Sequence, residues 1–95
     1  MNKVSWGVMS TANIGLERVI GPMQRGHSTR IDAIASRDVA RARAAAERFG
    51  IERAFGSYDE LLADPGIEAV YIPLPNDQHV TWAERAAAAG KHVLV

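Results

Sequence analysis

Ser10, Ala12 and Gly15 occupy the three small-residue positions of a turn spaced like G-x-G-x-x-G. They follow the apolar run Val4 to Met9 and open a helical segment, so free backbone N–H groups and a helix dipole converge on one spot. A dinucleotide pyrophosphate is the ligand that such a spot accommodates. Two of the three glycines are replaced. Serine and alanine are the smallest residues that carry a Cβ, so close approach of the backbone to a phosphate survives, while positive φ becomes harder. Taken alone, the turn is a weak signature.

A second group adds to it. The run Ile31 to Ala35 reads as a strand and ends in Ser36-Arg37-Asp38, about twenty residues beyond Gly15, where a dinucleotide-binding fold inspects the adenosine ribose. A carboxylate at that tip accepts from a free 2'-hydroxyl, whereas an arginine beside a hydroxyl suits a 2'-phosphate dianion. Ser36 and Arg37 therefore favour NADP over NAD. Asp38 admits two readings, a ribose acceptor or the N-cap of the helix that begins at Val39, and aspartate's preference for caps favours the second. Among the candidate residues His79 has the widest chemical range, because imidazole donates, accepts or titrates near neutral pH.

Composition narrows the function. The chain has 95 residues, 47% hydrophobic and 23% charged, with zero formal net charge, a composition that describes one soluble globular unit. No charge excess points to nucleic acid, and no basic run points to a membrane surface, so a small-molecule site fits best. The absence of cysteine rules out disulfides, thiolate metal sites and a thiol nucleophile, and suits a cytoplasmic setting. The few apolar residues before Ser10 are too short for a signal-peptide core or a membrane span.

The elements that must position these groups alternate along the chain. After the first turn, a short turn at Asn13 to Glu17 and a helix from about Pro22 to Gly26 are expected, since proline suits a first helical turn. Ser28 and Thr29 fall in a loop. Val39, Ala42, Ala46 and Phe49 recur at helical spacing, and Gly50 supplies a stop. Glu52 to Phe55 is a short strand, Ser57 to Glu60 a capping-box pattern before Leu61, and Asp64-Pro65-Gly66 a turn. Ile67 to Ile72 is a buried strand ending at Pro73-Leu74-Pro75-Asn76, Asn76 or Asp77 caps the next helix, and that helix runs from His79 to Ala89. Gly90 ends it before a last strand, His92 to Val95, preceded by Lys91, which reads as a solvated loop lysine. The order β-α-β-α-β-α-β-α-β predicts a Rossmann-like, doubly wound parallel sheet, truncated after its fifth strand.

Three local signatures now coincide: W-G-V-M-S-T-A-N-I-G, I-A-S-R-D and Y-I-P-L-P-N-D-Q-H, followed by A-A-A-G-K-H-V-L-V. In order and spacing the whole chain resembles the N-terminal domain of the Gfo/Idh/MocA oxidoreductases, and its Ser-Thr-Ala turn is most similar to the branch of NADP-dependent xylose and dihydrodiol dehydrogenases. The resemblance implies that Ser10, Thr11, Ala12, Asn13 and Ile14 surround the pyrophosphate and nearby ribose. It implies that Ser36 and Arg37 hold the 2'-phosphate, with Arg41 either joining them or standing as a solvated charge. Leu74, Pro75, Asn76 and His79 would line the nicotinamide side, although Pro75-Asn76 is also simply a turn and cap. His79 reads as a cofactor contact rather than a general base. Trp6 and Trp82 read as packing residues, the latter with the option of approaching the cofactor.

In that family the last strand continues into a Glu-Lys-Pro motif whose lysine positions substrate and assists proton transfer, and a C-terminal sheet domain carries substrate-binding residues and the oligomer contact. Neither lies in these 95 residues. The expectation is therefore a dinucleotide-binding domain, residues 1–95, of a longer homo-oligomeric enzyme that moves a hydride between NADP and a sugar, polyol or dihydrodiol, with no catalytic residue or metal ligand of its own and no turnover in isolation. Two other readings remain: a non-catalytic dinucleotide-sensing regulator of the same family, and a Rossmann-like domain that binds no dinucleotide.

Overall fold

The computed structural model describes residues 4–10, 20, 29–74 and 76–94, with the backbone alone at Asn76 and Leu94. In chain order the elements are β1 (Val4–Met9), β2 (Thr29–Ala35), α1 (Val39–Phe49), β3 (Arg53–Phe55), α2 (Tyr58–Leu62), β4 (Ala69–Tyr71), α3 (Asn76–Ala88) and β5 (His92–Leu94). The five strands form one sheet in the order β3-β2-β1-β4-β5. Every pairing is parallel. This is the Rossmann-like arrangement that the alternation of apolar runs and helical stripes implies, because parallel neighbours require a crossover on one face or the other.

Side-chain alternation along each strand sends neighbouring residues to opposite layers. Met9, Ala33, Ala35 and Val70 face a core completed by Tyr58, Leu61, Leu62, Ile67, Ile72 and Ala86. Val8, Ile34 and Tyr71 face the other, with Ile20, Ile31, Ala46 and Ile51. The central strands are thus apolar on both faces, which is what burial beneath two helical layers demands. Gly7 lies where one layer comes closest to the sheet: a Cβ there would stand 2.9 Å from Leu61 Cδ2.

Local capping signals hold. Asp38 Oδ1 accepts from Ala40 N at 2.9 Å, and Ser57 Oγ accepts from Glu60 N at 3.1 Å. Gly50 (φ 69°) closes α1: its N–H donates to Glu47 O at 3.4 Å, and Ile51 N donates to Ala46 O at 2.8 Å. Gly90 (φ 82°) repeats the pattern after α3, where Lys91 N donates to Ala86 O at 3.0 Å. Both ends are six-to-one, left-handed C-caps that a glycine forms without steric cost.

Boundaries differ in instructive ways. Thr29 lies in β2 rather than in a loop, because Val4 pairs with it in register. The ladder of β4 covers Ala69 to Tyr71, although Ile67 and Ile72 are buried on either side of it. Glu52 precedes β3 rather than opening it. Helix α3 already includes Asn76 and Asp77, so neither residue is its cap, and it ends at Ala88. The turn expected at Asn13 to Glu17 and the helix expected from Pro22 to Gly26 lie outside the described residues. Ile20, however, is helical and fully buried, so helical backbone exists ahead of Pro22.

Lys91 is a correction. It is not a solvated loop lysine: its Nζ donates to the carbonyls of Asp64 (2.7 Å) and Ile67 (2.6 Å), tying the α2–β4 connection to the start of β5. Both acceptors are backbone oxygens at the amino-terminal edge of the sheet, which explains why a cation is favoured there. Further along the strands lies a buried carboxylate, Asp32 in the middle of β2. Asp32 accepts from Ser5 Oγ and from Arg30 Nε, the latter at 2.9 Å.

Candidate functional site at the carboxyl edge of the sheet

In an open parallel sheet the ligand crevice lies beyond the carboxyl ends of the strands, where the strand order reverses. That point here is the end of β1, flanked by β2 on one side and β4 on the other. Met9 pairs with Ala35 and Val8 with Tyr71, so Ser10, Ser36 and Pro73 follow at neighbouring strand ends. Ser10 and Ser36 are both buried.

The tip of β2 is held in a defined shape. Ser36 N donates to Phe55 O at 3.1 Å, joining the tip to the end of β3, and Ser36 Oγ accepts from Asp38 N at 3.3 Å. The Asp38 carboxylate turns away to cap α1, as its position predicted. Arg37 is left pointing outward between them, exposed, and its Nη2 donates to Gln78 Oε1 at 3.1 Å. Arg41 is also exposed, in the first turn of α1. The polar groups at this tip are therefore a hydroxyl and two guanidinium groups, with the Asp38 carboxylate engaged by the Ala40 amide. That chemistry fits a phosphate dianion better than a ribose diol.

The Leu74 to His79 segment behaves less uniformly than its sequence suggests. Leu74 is half-buried and packs on the core beside Val70 and Ile72. His79 is half-buried in the first turn of α3. The Arg37–Gln78 bond brings that same turn to the tip of β2, two strands or about 10 Å across the sheet from β4. The segment thus extends from the end of β4 toward the tip of β2. Pro75, the Asn76 side chain and Thr11, Ala12, Asn13, Ile14 and Gly15 lie outside the described residues.

Trp82 has a packing role. Its ring meets Tyr58 edge-on at 5.1 Å, and the Arg85 guanidinium sits 4.7 Å above it. Gln78 is the residue that sequence reading missed at this edge. Its contact with Arg37 spans 41 positions, and only the strand order makes it visible. Among the described residues no cluster of histidine, aspartate or glutamate is suited to hold a metal ion. No helix among them is long and apolar enough to cross a membrane.

Comparison with known proteins agrees with this geometry. The family model GFO_IDH_MocA, an oxidoreductase family with an NAD-binding Rossmann fold, matches residues 4–95. An uncharacterised oxidoreductase of Rhizobium meliloti is 63% identical over 94 residues, covering 99% of this chain and 28% of its own length. The D-xylose 1-dehydrogenase (NADP(+)) 2 of Haloferax volcanii is 51% identical over 89 residues, covering 94% of the chain and 27% of that protein. The crystal structure of KijD10, a 3-ketoreductase from Actinomadura kijaniata in complex with NADP, superposes with a TM-score of 0.90 at 42% identity, over 98% of this chain and 29% of that one. The chain therefore spans somewhat over a quarter of the length of the relatives it matches.

Proposed function

The chain belongs to the GFO_IDH_MocA oxidoreductase family, and from that premise we propose that it is the dinucleotide-binding domain of an NADP-dependent enzyme acting on a sugar, polyol or dihydrodiol. The observation that carries the cofactor choice is the tip of β2. Ser36 and the exposed Arg37 stand there, while Asp38 is engaged in capping α1. The xylose dehydrogenase relative is named for NADP(+), and the KijD10 complex contains NADP, which supports the same reading.

The nicotinamide, when bound, supplies the hydride chemistry. This chain's residues bind and orient. Ser10 and the turn through Thr11, Ala12, Asn13 and Ile14 receive the pyrophosphate, using small side chains and backbone N–H groups. Ser36 and Arg37, joined by Arg41, receive the 2'-phosphate. Leu74, Pro75, Asn76 and His79 form the facing wall, with His79 as a contact rather than a general base. Redox chemistry at a hydroxyl carbon also requires a group that moves the hydroxyl proton, and with His79 read as a cofactor contact the residues assigned here supply none. We assign substrate binding and proton transfer to parts of the enzyme outside these 95 residues, in keeping with the chain's share of its relatives' length.

The experiment is a pair of titrations, NADPH and NADH, followed by tryptophan fluorescence. The expected result is a clear preference for NADPH that disappears in Arg37→Ala. A preference for NADH would remove the role given to Ser36 and Arg37.

A further inference from the structure

Gln78 stands in the first turn of α3, half-buried, while Arg37 stands exposed beyond β2, and the bond between them is a contact between two walls of the same crevice. We infer that Gln78 is a specificity-determining positioning residue: its neutral side-chain carbonyl holds the Arg37 guanidinium at the adenosine end of the crevice and thereby sets the preference for a 2'-phosphorylated dinucleotide. This rests on the NADP reading of Arg37 and deepens it.

Three features carry the inference. An exposed arginine has many rotamers, and its charge is useful to a dianion only in those that face the crevice, so an anchor on the opposite wall raises the useful fraction. A guanidinium has five N–H donors, and the contact to Gln78 Oε1 uses one edge, which leaves donors for a phosphate. The acceptor is also uncharged. A carboxylate at position 78 would hold Arg37 more strongly, yet it would cancel the cation and set a negative charge beside the incoming 2'-phosphate. Asp77 lies one position away and is exposed, but residues adjacent in a helix do not share a face, so its carboxylate does not replace the amide. Glutamine is thus an acceptor that orients without neutralising.

The test measures Kd for NADPH and NADH in the wild type, Gln78→Ala, Gln78→Glu, Arg37→Ala and the two double variants, at one ionic strength, with circular dichroism to check each fold. Gln78→Ala is expected to weaken NADPH about threefold and leave NADH unchanged, since one exposed hydrogen bond is lost. Gln78→Glu is expected to lower the NADPH-to-NADH preference about tenfold, the larger effect coming from the added charge. In the Arg37→Ala background Gln78→Ala is expected to have no further effect, the signature of a contact that acts through Arg37, whereas Gln78→Glu still repels the 2'-phosphate by its own charge. An unchanged preference in both single variants, while Arg37→Ala abolishes it, overturns the role of Gln78 and leaves the NADP reading standing. Equal weakening of both nucleotides overturns it in favour of a merely structural residue. Tighter NADPH binding in Gln78→Ala overturns it too, since the bond would then be one that the ligand has to break. Loss of effect in Arg37→Ala itself removes both readings at once.

Discussion

The two edges of the sheet treat charge in opposite ways. At the amino edge three charged groups are matched inside the fold, Asp32 with Ser5 and Arg30, Asp64 with Arg53, and Lys91 with two backbone carbonyls, while Glu52 and Glu68 stay exposed. At the carboxyl edge Arg37 and Arg41 face solvent, and the contact described for Arg37 is to a neutral amide. Matched charges hold loops together and leave little field for a ligand, while an unneutralised cation beside a buried hydroxyl is available to an anion. On the proposed reading, one edge serves stability and the other binding.

That contrast makes a double dissociation testable. The largest effect is expected from Asp32→Ala, which strands a buried hydroxyl and releases Arg30. Urea unfolding should show a loss of about 3 kcal/mol, with the NADPH-to-NADH preference intact. Arg37→Ala should do the reverse. We expect NADPH affinity to fall about thirtyfold, with the unfolding midpoint unmoved, and the wild-type preference to shrink as salt is raised. Lys91→Met keeps most of the aliphatic stem and removes both charge-assisted bonds. Its thermal unfolding should report a loss of about 2 kcal/mol, again with no change in nucleotide preference. The smallest effect is expected from Gly50→Ala, about 1 kcal/mol by the same unfolding assay. A Cβ there meets nothing within 4 Å, so the cost is the left-handed backbone alone. A change of nucleotide preference in Asp32→Ala or Lys91→Met would break the division between the edges.

Much of the fold was legible because its signals are short-range. The caps at Asp38 and Ser57 and the stops at Gly50 and Gly90 act across two to five positions, and each was readable from residue type. The strand ends were less legible. Ile67 and Ile72 are as apolar as the β4 ladder between them, so hydrophobicity marks their burial but not where pairing stops. The site divides in the same way. Ser36 and Arg37 were singled out from their distance beyond the first turn, and the fold sets them at the end of β2. Gln78 carried no signal, because a glutamine in a first helical turn is ordinary until the strand order sets it opposite Arg37. Lys91 was misread for a related reason: the carbonyls that hold it lie 24 and 27 positions earlier.

By itself, then, the sequence determined the kind of each described element, the caps at Asp38, Ser57, Gly50 and Gly90 and the residue types at the end of β2, since periodicity, glycine and small polar residues act on backbone within a turn or two. Tertiary structure decided which charges are matched and which stay open. Asp32 finds Ser5, Lys91 finds the carbonyls of Asp64 and Ile67, and Arg37 finds Gln78 only when parallel strands bring distant segments to a common edge. The physical reason is that a side chain's partner is set by proximity in space, and in a parallel sheet every such proximity has to be reached through a crossover.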